Sequence, residues 1–103
     1  MAWKGSNHFR FNEAWVRIYA PAGSGVYAIY AQGRWLFIGE AEDVRGQLLR
    51  LLGGENPCIM HQGPTHFAFQ SVPSPDRLAW QRELIAEYQP ACNEQAVPEG
   101  RAA

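Results

Sequence analysis

A chain of 103 residues, 47% hydrophobic and 13% aromatic, has enough apolar material for one packed domain and too little length for two. Charged residues make up 18%, nine basic against ten acidic, for a formal net charge of −1. That balance argues against a strongly basic, phosphate-tracking nucleic-acid binder. No apolar run approaches the ~18 residues that cross a bilayer, so no membrane association is expected. The start, MAWKGSNHFRFN, lacks an apolar signal-peptide core, which makes the cytoplasm the expected location. In that compartment Cys58 and Cys92 are expected as reduced thiols.

Residues 1–24 read as an arm carrying Phe9, Phe11, Trp15, Val16, Ile18 and Tyr19. So much apolar surface predicts that the arm packs on the domain. Asn12 is placed to cap a short helix over Glu13 to Tyr19. The breaker cluster Pro21-Ala22-Gly23-Ser24-Gly25 then separates the arm from the rest of the chain. Gly25 to Ala31 is β-branched and aromatic, Gln32-Gly33 is a turn, and Arg34 to Gly39 is a second strand, together an antiparallel hairpin. Acids Glu40, Glu42 and Asp43 precede Val44, Leu48, Leu51 and Leu52 at helical spacing, with Gly53-Gly54 as the stop.

Residues 55–64 read as a loop. Thr65 to Val72 alternates, with Phe67 and Phe69 on one face, and predicts a third strand. Ser74-Pro75-Asp76 opens a helix, with Ser74 as cap, that runs through Leu78, Ile85 and Tyr88 and stops before Pro90. Residues 94–103 read as a flexible tail. The expected class is α/β (α+β), a three-stranded antiparallel sheet flanked by helices in the order β-β-α-β-α.

Gly25-Val26-Tyr27 followed by Phe37-Ile38-Gly39 resembles the signature of the GIY-YIG nucleases. The helix, the third strand and a closing helix ending Tyr88-Gln89-Pro90-Ala91-Cys92-Asn93 come in that family's order. The resemblance covers residues 24–93 and sets the expected domain at 25–93. It implies a domain that cuts phosphodiesters. Hairpin tyrosines help activate a water, an arginine on the first helix steadies the phosphate, and a glutamate on the last helix holds one divalent metal.

Carried over residue by residue, Gly25, Tyr27, Gly39 and Asn93 are retained. The second tyrosine is Phe37, which keeps the ring and loses the hydroxyl. The basic residue after the second glycine is Glu40. The arginine position falls on Gln47 and the metal glutamate on Gln81. Losing an acid–base group costs ~10²–10⁴ in rate. Losing a preorganised charge-stabilising group costs about 2.7–4 kcal/mol. These terms do not simply add, yet their joint loss leaves little activity.

Arg50, one turn past Gln47, is a candidate replacement cation and, with Tyr27, a candidate catalytic residue. The positions sharing a helix face with Gln81 are Arg77, Leu78, Leu84, Ile85 and Tyr88, none a carboxylate, and Glu83 points elsewhere. Glu40, Glu42 and Asp43 place negative charge at a natural phosphate seat. From Gly25 to Asn93 there are five arginines and seven acids, whereas the arm sets Lys4, Arg10 and Arg17 against Glu13.

Each singled-out residue also has a plain structural reading. Tyr27 is a surviving proton acceptor or a strand aromatic with a partnered hydroxyl. Asn93 lines a site or braces the last turn. Cys58, His61, His66 and Cys92 suggest zinc, but their spacing matches no standard finger. Trp3, Trp15, Trp35 and Trp80 are a stacking platform or core. The resulting expectation is a nuclease-like domain without nuclease chemistry, serving as a binding or interaction module for a protein partner or, weakly, nucleic acid, with no cofactor or metal. The alternative is a divalent-metal-dependent DNA endonuclease, requiring Mg²⁺, with a rearranged site of Tyr27, Arg50 and an acid from 40–43. A third reading is a small subunit that docks through its aromatic arm.

Overall fold

The structure, a computed structural model, describes residues 8–93. In chain order the elements are β1 (Phe9–Arg10), α1 (Glu13–Tyr19), β2 (Gly25–Ala31), β3 (Arg34–Ala41), α2 (Val44–Leu52), α3 (Pro57–His61), β4 (His66–Ser71) and α4 (Ser74–Tyr88). The sheet has four antiparallel strands in the order β1-β4-β2-β3, one more than the sequence predicts. The extra strand is only two residues long and exists by pairing Phe9 with Phe67 and Arg10 with His66. So short a segment has no periodicity of its own to read.

Side chains alternate across the sheet and fill two clusters. Tyr27, Ile29 and Phe67 face α1 and α2, packing with Phe11, Val16, Val44, Leu48 and Leu51. Val26, Ala28 and Ile38 face the other way, against Leu84 of α4, with Trp35, Trp80 and Tyr88 at the margin. Trp15 packs at the edge of the first cluster. Trp3 and the expected tail, 94–103, lie outside the described residues. Among the described residues no helix is long and apolar enough to cross a membrane.

Caps follow sequence chemistry with one shift. Asn12 accepts from the Trp15 N–H at 2.9 Å and Asp43 from the Gly46 N–H at 3.1 Å, fixing the starts of α1 and α2. In α4 Ser74 is already helical. Pro73 is the cap, and its carbonyl accepts from the Asp76 N–H at 3.0 Å. Leu78 is 48% exposed while Leu84 is fully buried, so the inward stripe of α4 is not the one that Leu78 suggests. At the far end Gln89 adopts a left-handed conformation, φ 47°, and Pro90 follows.

Two further expectations are corrected. The 55–64 loop contains α3, started by Asn56, whose side chain accepts from the Cys58 N–H at 3.1 Å, and by Pro57 at the first position. Cys58 and Cys92 are not reduced thiols but a disulfide, with Cα atoms 5.7 Å apart. Residues 91–93 bring Cys92 there by running along the outer edge of β3. Ala91 N–H donates to Trp35 O at 3.1 Å and Cys92 N–H to Leu36 O at 2.7 Å. The segment thereby covers an edge strand that would otherwise offer open hydrogen-bonding groups.

Candidate functional site

The candidate positions converge on four residues of β3, Phe37 to Glu40. Tyr27 lies opposite Gly39 and Ile29 opposite Phe37, so the Tyr27 and Phe37 rings share a face, 6.1 Å apart. The Tyr27 ring lies across Gly39. A methyl group at that glycine would strike the Tyr27 hydroxyl and come within 2.9 Å of the Phe37 ring. Gly25 is held to glycine similarly, since a Cβ there would meet the Gln70 carbonyl oxygen at 2.5 Å. Both retained glycines thus have packing reasons.

Tyr27 is 2% exposed, and its hydroxyl is hydrogen-bonded to the Gln47 side chain. Arg50 donates to the Gln47 Oε1 and pairs with Glu55, Nε to Oε1 3.4 Å. Burial, then the carboxylates of Glu55 and Glu40, push the phenol well above its usual range, against smaller opposing effects of Arg50 and Gln47. A phenol so perturbed keeps its proton at neutral pH and is a poor proton acceptor. The sequence-predicted Tyr27 and Arg50 are therefore brought together, but through an amide and under cover.

On the other side of β3, Glu40 is bound by Arg77, Nε to Oε1 2.7 Å, with side chains 30% and 13% exposed respectively. Arg77 also donates to Ser24 Oγ at 2.9 Å. The expected acidic cluster at 40–43 is therefore divided: Glu40 is neutralised, Asp43 is a helix cap, and Glu42 is exposed. Arg77 was visible as sharing a helix face with Gln81. Nothing local marked it as the partner of Glu40, a residue 37 positions away. Glu55 likewise carries no local signal of its place beside Arg50.

Gln81 donates from Nε2 to the Ile38 carbonyl at 3.2 Å. Asn93, buried, forks onto the same residue: its Oδ1 accepts from Ile38 N–H at 2.8 Å and its Nδ2 donates to Ile38 O at 2.9 Å. Asn93 thus braces β3. A cavity of about 650 Å³ lies alongside, lined by Ile85, Gln89, Pro90 and Asn93, and does not reach Tyr27 or Gln47.

No family model matches the chain, and no curated protein does. Solved structures do. The GIY-YIG N-terminal endonuclease domain of UvrC from Thermotoga maritima, as a tyrosine-to-phenylalanine mutant bound to its catalytic divalent cation, aligns with a TM-score of 0.67 and 23% identity. The alignment covers 76% of this chain and 94% of that one. The magnesium-bound form aligns with a TM-score of 0.66 and 21% identity, over 76% and 94% of the two chains. An asparagine-to-alanine mutant bound to its catalytic cation gives 0.65 and 21%, over 74% and 91%.

The chain has the GIY-YIG fold. A divalent cation of the kind named for those structures would need a hard anionic oxygen. At Gln81, where the sequence resemblance expects the metal glutamate, the side-chain NH₂ donates to the Ile38 carbonyl. The nearby Glu40 is committed to Arg77. Among the described residues no three His, Cys, Asp or Glu side chains gather as a metal set, the zinc grouping of Cys58, His61, His66 and Cys92 included. The residues do not fit the metal.

Proposed function

We propose that this GIY-YIG-fold domain has lost nuclease chemistry and acts as a binding module. The observation that carries this reading is that every substituted position is engaged inside the protein. Phe37 packs on Tyr27, Gln47 bridges Tyr27 and Arg50, Glu40 holds Arg77, and Gln81 holds the Ile38 carbonyl. A nuclease needs the opposite: a proton acceptor open to water, a free cation and an unsatisfied carboxylate. The rearranged-site alternative would have to release Glu40 from a half-buried ion pair and Tyr27 from beneath Gly39. A cytoplasmic setting belongs to this reading too.

Titration with Mn²⁺, followed by electron paramagnetic resonance, tests the reading. The wild type is expected to show no saturable site up to millimolar ion. Saturable binding that Gln81→Ala or Glu40→Gln abolishes would overturn it.

A further inference from the structure

We infer that the end of the sheet farthest from Gly25 and Ala41 binds single-stranded nucleic acid, through a row of side chains crossing all four strands; this names the ligand class of the binding module proposed above and rests on that reading. The strand register builds the row. Arg10 of β1 lies opposite His66 of β4, His66 opposite Tyr30 of β2, and Tyr30 opposite Trp35 of β3. Directly opposed residues share a face. The rings touch along the row: Tyr30 and His66 stack at 5.6 Å and 15°, and Tyr30 and Trp35 lie 5.4 Å apart. Tyr88 closes the row at 4.6 Å from Trp35, and His8 stands edge-on to Tyr30 at 5.5 Å.

Helix α4 packs on β3 and β2, and its last residue, Tyr88, meets the row at Trp35. His66, Tyr30 and Trp35 remain partly exposed, while His8, Arg10 and Arg34 are exposed. Charge singles out the ligand. The strand and turn segments that build this end, residues 8–12, 29–37 and 61–68, contain Arg10, Arg34 and all three histidines, and no aspartate or glutamate. The acids Glu40, Glu42 and Asp43 lie toward the opposite ends of the strands. In α4, Glu87 directly precedes Tyr88, the residue that closes the row.

Partly exposed aromatic rings with a guanidinium at the β1 side match a flexible polyanion with stackable bases. Arg10 lies opposite His66 on the face of the row, whereas Arg34, opposite Ala31, alternates to the other face, where Gln62 Oε1 accepts from it at 2.6 Å. A duplex keeps its bases stacked inside and offers the rings nothing to stack on.

Fluorescence anisotropy with a labelled oligothymidylate and the full chain, at low salt without divalent ions, tests the inference. The wild type is expected to bind with a salt slope of about −0.7, one phosphate neutralised on a single strand. Arg10→Glu, at an exposed position opposite His66, is expected to weaken binding at least tenfold. Tyr30→Leu, checked for folding by circular dichroism, is expected to weaken it about tenfold. The charge-matched control, Arg82→Glu, should stay within about threefold, since that arginine lies outside the row. No saturable binding, equal loss in the control, or equal affinity for a duplex competitor would overturn the inference. Failure of the row variants alone leaves the binding-module reading standing. Cleavage of the oligonucleotide on adding Mn²⁺ would refute that reading and leave the row untouched.

Discussion

Reducing the Cys58–Cys92 bridge will remove a large part of the domain's stability. The two cysteines are 34 residues apart, and Cys92 is fully buried beside the β3 edge. Closing a loop of that length removes roughly 3–4 kcal/mol of chain entropy from the unfolded state at 25 °C. Small domains have only about 5–15 kcal/mol in total. With a urea dependence near the lower end of the usual ~1–3 kcal/mol per molar, the midpoint falls by roughly 2–3 M. Urea unfolding followed by tryptophan fluorescence, with and without dithiothreitol, measures this directly. A change under about 0.5 M would refute the reasoning. Two thiols titrating in the folded, unreduced protein would refute it as well.

Three more outcomes are expected at the site. Gly39→Ala drives a methyl into the Tyr27 and Phe37 rings and should cost about 1–3 kcal/mol, read as a lower melting temperature. Asn93→Ala removes both bonds to Ile38 and leaves a buried N–H unpaired, for a loss of roughly 2–3 kcal/mol in urea unfolding. Because burial raises the Tyr27 phenol in the fold, the unfolded chain loses that proton first as pH rises. Stability is therefore full below about pH 10 and falls above it. The fall should be shallower in Tyr27→Phe, and equal falls in both proteins would contradict the assigned burial.

Much of the frame was legible because it depends on local chemistry. Gly25 to Ala31 and Val44 to Leu52 carry their own periodicity and punctuation, and both elements span those residues. Phe9-Arg10 becomes a strand only by pairing with residues nearly sixty positions on, so no local pattern announces it. The same holds for the pairing of Cys58 with Cys92 and of Glu40 with Arg77, which tertiary proximity alone creates. Helix α3 was missed for a different reason. Asn56-Pro57 is a helix-start signal as much as a loop signal, and five residues are too few for a stripe to decide between them. At the site, the substitutions at Phe37, Gln47 and Gln81 were visible in the sequence. Their engagement by Tyr27, Arg50 and Ile38 was not.

The most direct test of lost chemistry is a single-turnover cleavage assay. Protein in excess is incubated with end-labelled single-stranded, duplex and branched DNA, with Mg²⁺ and separately with Mn²⁺. The account predicts no product above the protein-free control on any substrate. Protein-dependent cleavage that Tyr27→Phe abolishes would contradict it, because it would require the buried, proton-holding Tyr27 to work as a catalytic group.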